Sequence, residues 1–191
     1  EMCIRDRSDA AKYFDSIKSR MSDLGRDPDT CKILFGMQPI IGSSEAEALE
    51  RQEEHNSLVP LDGGMAILSA HLDFDLSRIS PDALMTEREE PELYRMRTRF
   101  RKIDGAPMTV SEVAARHGQS VGLPQFVGTP TSIVDQMQAF IDEVGGDGFM
   151  LTAIHSPGAI EDFVQLVVPE LQRIVIFRTE YKGTTLREIL N

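Results

Sequence analysis

Apolar positions in the first third of the chain change their spacing twice. Ala10, Phe14, Ile17, Met21 and Leu24 recur every three or four residues, with Lys, Arg and Asp between them. That is the period of an amphipathic helix over residues 9–24. Gly25 follows as a C-cap and Pro28 lies beyond it, so the helix is predicted to stop there. "KILFGMQPIIG" (residues 32–42) is then apolar almost without a break. Such a run predicts a strand covered on both faces, as in a parallel sheet, with Pro39 ending regular pairing. In "SSEAEALERQEEHNSLV", Ser43 or Ser44 caps a second helix, and Glu45 and Glu47 suit its positive end. A strand followed at once by a capped helix is a βα unit.

Residues 60–125 lose this regularity. "LDGGMAILSAHLDFDLSRISPDALM" mixes turn residues with short apolar pieces, and "TEREEPELYRMRTRFRK" is dominated by charge. One element stands out, "MTVSEVAARHG", where Thr109 and Glu112 form a capping box and Gly118 ends the helix. The whole region reads as an insertion or lid. Order returns at Thr129, an N-cap with Pro130 at the first helical position. Ile133, Val134, Met137, Phe140, Ile141 and Val144 make the apolar stripe, and Gly145 and Gly146 stop it. "GFMLTAI" (residues 148–154) reads as a short buried strand. "SPGAIEDFVQLVVPELQ" reads as a helix interrupted or restarted at Pro169. The predicted order is helix, strand, helix, insertion, helix, strand, helix. Two strands cannot form a sheet buried on both faces, so this α/β fold is expected to be incomplete.

A length of 191 residues suffices for one domain with a sizeable core. The net charge of −11 argues against nucleic acid or anionic membranes as partners and leaves small molecules open. Cys3 and Cys31 show no metal or disulfide spacing, which suits a reducing cytoplasm. No stretch is long and apolar enough for a membrane span, and no signal peptide is visible. The opening is unusual: Glu1 precedes Met2, and "MCIRDR" resembles a translated sequencing adapter. Residues 1–8 are read either as a disordered N-terminus or as an artefact, and residues 9–191 as one domain containing the insertion.

Few constellations carry chemistry. His155 follows a predicted strand C-terminus, where α/β folds gather ligands, and is a candidate pocket residue. None of the four histidines has metal-ligand spacing, so no metal site is expected. "GGDG" (residues 145–148) lacks a following Lys-Ser/Thr and reads as a helix cap and turn. "RMRTRFRK" (residues 95–102) is balanced by the adjacent "EREEPE" and reads as a solvated surface. "TVSEVAARHG" is similar to the first helix of a helix-turn-helix, without a convincing second helix after it.

The segments "FVGTPTSIVDQMQAFIDEVGGDGFMLT" and "EDFVQLVVPELQRIVIFRTEYKGTTLRE" closely resemble the C-terminal part of the nitrilotriacetate monooxygenase family of FMN-dependent monooxygenases, within the bacterial luciferase-like superfamily. "LGRDPDTCKILFGMQPIIGSSEAEA" resembles the same family in the same order, so the likeness covers most of residues 9–190. "QRIVIFRTEY" departs from the family's usual Arg-Gly pair before "FRTEY". The resemblance implies the C-terminal part of a (β/α)8 barrel, with residues 32–42 and 148–154 as its seventh and eighth strands. It implies reduced FMN and O2 as co-substrates, a partner NAD(P)H:flavin reductase, a small organic substrate and a homo-oligomer at full length. Sites in such barrels lie at the strand C-termini. That makes Met37, Gln38, Met150, Leu151 and Thr152 candidate flavin contacts and His155 a candidate substrate contact, while the catalytic residues stay unassigned. The isolated piece is expected to be inactive. The alternative is a non-catalytic partner that completes a barrel with another chain.

Overall fold

Short-range signals set most of the helix ends. The computed structural model describes residues 7–94, 105–181 and 183–190. The basic run at 95–102 and residues 1–6 lie outside them. In chain order the elements are α1 (Arg7–Asp23), β1 (Leu34–Ile41), α2 (Glu45–Ser57), α3 (Leu61–Leu72), α4 (Pro91–Tyr94), α5 (Val110–Ser120), β2 (Gln125–Gly128), α6 (Pro130–Val144), β3 (Gly148–Leu151), α7 (Gly158–Asp162), α8 (Val168–Arg173) and α9 (Leu186–Leu190). They fall into two compact units. One is Glu53–Gly122; the other combines Glu1–Gln52 with Leu123–Asn191.

The second of these holds the sheet, which is parallel and ordered β2-β1-β3. The sequence pattern had two strands; β2 is a third, four residues long, beginning after Pro124 and ending at Gly128. β1 changes partner along its length. Met37 O accepts from Thr152 N at 2.9 Å on the β3 edge, and Gln38 N donates to Pro124 O at 2.9 Å on the β2 edge. Neighbouring residues of a strand bond to opposite edges. Pro39 therefore turns its missing N–H toward the edge where the β3 ladder has just ended. Pairing does not stop at Pro39, as the pattern suggested. It continues on the other side, with Pro39 beside Phe126 and Ile41 beside Gly128.

One face of the sheet is packed. Phe35, Met37 and Ile41 of β1 and Phe126 of β2 join Ala10, Ile133, Val134, Met137, Phe140, Val144, Phe163, Val167 and Leu171 in a continuous core. Phe140 meets Phe35, Phe126 and Phe149 with ring centroids 5.4–6.0 Å apart in edge-on or tilted arrangements, the geometry that aromatic quadrupoles favour. Of the predicted α1 stripe, Ala10 and Met21 are buried, but Leu24 lies past the helix end and is 77% exposed. Gly145 closes α6 at φ 80°, its N–H donating to Ile141 O at 2.8 Å. The helix before Pro169 widens into a π-turn over Phe163–Val167. Proline there removes a backbone donor and crowds the preceding turn, so the interruption falls where the sequence placed it.

The unit Glu53–Gly122 contains more helix than its turn residues suggested. "LDGGMAILSAHL" is α3, buried through Leu68 and Leu72. The glycines that read as punctuation serve helix packing. A Cβ on Gly64 would stand 2.4 Å from Ala114 O, and one on Gly118 would stand 3.1 Å from Gly64 Cα. Gly118 thus lies inside α5, which runs on to Ser120, and does not end it. The Thr109–Glu112 capping box forms as expected: Glu112 N donates to Thr109 Oγ1 at 3.2 Å and Thr109 N to Glu112 Oε2 at 2.9 Å. Beside this seam His117, 2% exposed, is hydrogen-bonded through Nε2 to His71 Nδ1 at 2.8 Å.

Candidate functional site

Side chains alternate across a strand, so the packed face of the sheet defines the other one. Leu34, Gly36, Gln38 and Ile40 of β1, Gln125 and Val127 of β2, and Gly148 and Met150 of β3 point away from the helix layer. Leu34 is 45% exposed and Met150 60% exposed. A parallel sheet is ordinarily covered on both sides; this face is uncovered at Leu34 and Met150, whereas Gln38 and Ile40 on the same side are buried. Leu123 lies over Gly36, its Cδ2 2.6 Å from where a Cβ would stand.

Gln38 is the polar group in this face, and it is 3% exposed. Its Oε1 accepts from Gln125 Nε2 at 2.8 Å, and Gln125 Oε1 accepts from Gln52 Nε2 of α2 at 2.8 Å. Three amides thus form a chain from α2 through β2 to β1. Gln125 and Gln52 were not among the residues singled out from sequence. The available signal was Gln38 itself: an amide inside an apolar run must find a partner.

The predicted site residues separate by side. Gln38 and Met150 lie on the face turned away from the helix layer, Gln38 buried and Met150 exposed. Met37 and Leu151 are cross-strand partners on the packed face; Met37 belongs to the core and Leu151 packs against it. Thr152 closes the β3 ladder through its N–H to Met37 O. His155 is exposed in the loop before α7, with Nε2 2.8 Å from where a Cβ on Gly158 would stand.

The carboxyl ends of the strands carry a polar crown. A Cβ on Gly42 would lie 2.5 Å from Ala48 N, so the chain turns into α2 with no room for a side chain. Ser44 Oγ accepts from Glu47 N at 3.2 Å, which decides the cap between the two serines. Glu47 accepts from the hydroxyl and the N–H of Ser43 and from Arg51. The Ser43 hydroxyl above all, then its N–H and the Arg51 charge, hold Glu47 below the usual carboxylate value. Arg51 also donates to Ile41 O at 2.8 Å. Glu45 Oε1 accepts from both Thr129 N and Thr129 Oγ1 at 3.2 Å, tying α2 to the start of α6. Among the described residues no cluster of three or more His, Cys, Asp or Glu could hold a metal ion, and no helix is long and apolar enough to cross a membrane.

The tail after α8 is organised around Arg178. Its guanidinium lies 5.5 Å from the ring centroids of both Phe177 and Tyr181 and donates to Ile189 O, while Gln172 Nε2 donates to Arg178 O. Val175, Tyr181 and Leu186 nevertheless stay more than two-thirds exposed.

No family model matches the chain. It is 35% identical over 185 residues to the dibenzothiophene-sulfone monooxygenase of Rhodococcus erythropolis, covering 93% of this chain and 40% of that protein. It is 34% identical over 188 residues to nitrilotriacetate monooxygenase component A of Aminobacter aminovorans, covering 96% and 41%. Among solved structures, DmoA from Hyphomicrobium sulfonivorans superposes with a TM-score of 0.85 at 26% identity, covering 98% of this chain and 40% of that one. The long-chain alkane monooxygenase LadA superposes with a TM-score of 0.78 at 30% identity, covering 97% and 38%. The chain thus spans about two-fifths of the length of the relatives it matches.

Proposed function

We propose that this chain, a member of the nitrilotriacetate monooxygenase family within the luciferase-like flavin monooxygenases, supplies two neighbouring strands of a (β/α)8 barrel whose remaining strands cover the open face of its sheet. The complete protein oxygenates a small organic substrate with reduced FMN and O2. The observation that carries this reading is the uncovered face itself. A parallel sheet bearing exposed Leu34 and Met150 beside the buried amide of Gln38 belongs inside a closed barrel.

The residues of that face fit a flat ring system. Met150 offers an apolar surface, and Gln38 offers an amide able to meet a ring carbonyl or nitrogen. When bound, reduced flavin supplies the electrons that activate O2 for transfer of one oxygen atom. The protein's part is to hold the ring, keep water from it and leave room for the substrate. In this proposal Gln38 and Met150 contact flavin, Thr152 and His155 border the substrate side, and Met37 and Leu151 support the strands from the helix layer. The Aminobacter relative is one component of its system, which supports a partner that delivers reduced flavin. We assign that role to an NAD(P)H:flavin reductase, with both proteins in the cytoplasm.

The test joins this chain behind the N-terminal part of the Rhodococcus dibenzothiophene-sulfone monooxygenase. FMN fluorescence is expected to be quenched at micromolar protein by the joined protein and not by the chain alone. A folded, joined protein that leaves FMN fluorescence unchanged would overturn the flavin reading. Micromolar binding by the chain alone would overturn the incomplete barrel.

A further inference from the structure

We infer that residues 174–190 are a clasp, a preformed arm whose outward apolar side chains seat on the other part of the barrel, at the end away from the strand carboxyl termini. The inference rests on the incomplete-barrel reading above and adds to it the segment that holds the barrel closed. The arm makes its own framework. Arg178 lies against the Phe177 and Tyr181 rings and donates to Ile189 O, and Gln172 ties the backbone of Arg178 to α8. Glu188 holds the N–H groups of Thr184 and Thr185. Large apolar side chains are left outside that framework. Val175 is 87% exposed, and Tyr181 and Leu186 are each 72% exposed.

Val175 is the sharper sign. Its N–H donates to Gln172 O at 3.0 Å and the Ile176 N–H donates to Leu171 O at 3.2 Å, so it closes α8, at φ 64°. That left-handed position suits glycine and strains a β-branched residue. With its side chain in solvent, Val175 gains nothing inside this chain that offsets the strain. A contact outside the chain does. Three observations choose the occupant. The chain spans about two-fifths of its relatives' length, so on the barrel reading the larger part of the barrel lies outside it. A helix that follows a parallel strand runs back along it, so α8 ends, and the arm begins, at the side where the strands start. The helices and loops of the other strands form the rim there. A second copy is the poorer fit, because chains of net charge −11 repel each other. The seat is an apolar groove between helices of the same complete protein, with a carboxylate opposite the exposed Arg187.

The experiment measures thermal midpoints of the chain alone and of the chain joined behind the N-terminal part of the Rhodococcus relative, each as parent, Val175→Gly and Leu186→Ser. In the chain alone Val175→Gly relieves the left-handed strain and should raise the midpoint by about 2 °C. Leu186→Ser should leave it unchanged there, since the side chain is already in water. In the joined protein both substitutions should lower the midpoint, by about 1 °C or more. FMN quenching in the cold should be the same for parent and variants, because the clasp lies away from the proposed flavin contacts. A rise for Val175→Gly in the joined protein, or no change for Leu186→Ser there, would overturn the clasp and leave the flavin reading in place. A dimer of the chain alone in sedimentation, dissociated by Leu186→Ser, would overturn it in favour of a second copy. The incomplete-barrel reading is decided separately, by FMN quenching in the unsubstituted chain and joined protein.

Discussion

Lys18 and Asp147, 129 residues apart, meet with Nζ 3.4 Å from Oδ2. The same carboxylate oxygen accepts from Ile33 N at 2.8 Å, and Lys32 Nζ lies 3.8 Å from the other oxygen. Lys18 also donates to the carbonyls of Pro28 and Cys31. One carboxylate and one ammonium therefore join α1, the approach to β1 and the turn before β3. Asp147→Ala should destabilise the fold by about 1 kcal/mol, because the Ile33 N–H loses its acceptor and Lys18 loses one of three. Asp147→Asn, which retains an acceptor for Ile33 N, should cost less. Urea denaturation measures both, and equal stability of the alanine variant and the parent would sink the assignment.

The sign of the effect at Gly64 tests the close seam between α3 and α5. Helix propensity alone predicts that Gly→Ala stabilises by about 1 kcal/mol. The approach to Ala114 O leaves no space for a methyl group. Gly64→Ala should therefore destabilise, by about 1–3 kcal/mol of overpacking. A rise in the denaturation midpoint would mean the helices are not in close contact at this point.

Acid should loosen the closing turn of the tail. Glu188 accepts from the N–H groups of Thr184 and Thr185 and from the Thr184 hydroxyl, and the Thr184 N–H chiefly lowers its pKa from 4.5. A carboxyl whose folded pKa is depressed stabilises above its unfolded value and loses that contribution as pH falls through the folded one. The protection of the Thr184 and Thr185 amides, taken relative to their intrinsic exchange rates at each pH, should hold at neutral pH and fall only once pH drops below 4.5. Glu188→Gln should remove most of that pH dependence.

Oxidation reports on the open face. Among the described methionines, Met37 and Met85 are fully buried and Met150 is 60% exposed. Dilute peroxide should convert Met150 to its sulfoxide before any other described methionine in the chain alone, as peptide mass spectrometry would read. Joined to the N-terminal part of the Rhodococcus relative, Met150 should be protected. Equal reactivity in both forms would argue against a barrel closing over this face.

Much of the helical layer was readable because its signals are local. Thr109 and Glu112 are three residues apart, Pro130 follows its own cap, and Gly145 stands where the stripe of α6 ends. The missed features are those whose reason lies elsewhere in the chain. Gly63 and Gly64 look like a turn until α5 is placed beside them, since only Ala114 explains why a side chain is forbidden there. β2 is four residues that follow a proline and end in a glycine, too short to carry a period, and it owes its existence to β1. The facing of β1 was hidden for a different reason. An apolar run does not say which side meets helices, so Met37 and Gln38 looked equivalent as site candidates until the core separated them. Family resemblance identified the barrel without supplying that orientation.

The change of partner midway along β1 also dictates when the sheet can form. Gln38 and Gln125 are 87 residues apart, and Ile33 and Asp147 114 apart. Closing either loop costs chain entropy before any contact repays it. Most of the first loop is the compact unit Glu53–Gly122, whose α3–α5 seam closes over a shorter separation, 46 residues from His71 to His117. If that unit condenses early, it shortens the tether that β1 must wait for. β1 then serves as a template exposed from the beginning, accepting β2 on one edge and β3 on the other. Refolding should be paced by these long-range pairings, with the intervening helices protected before the strands are.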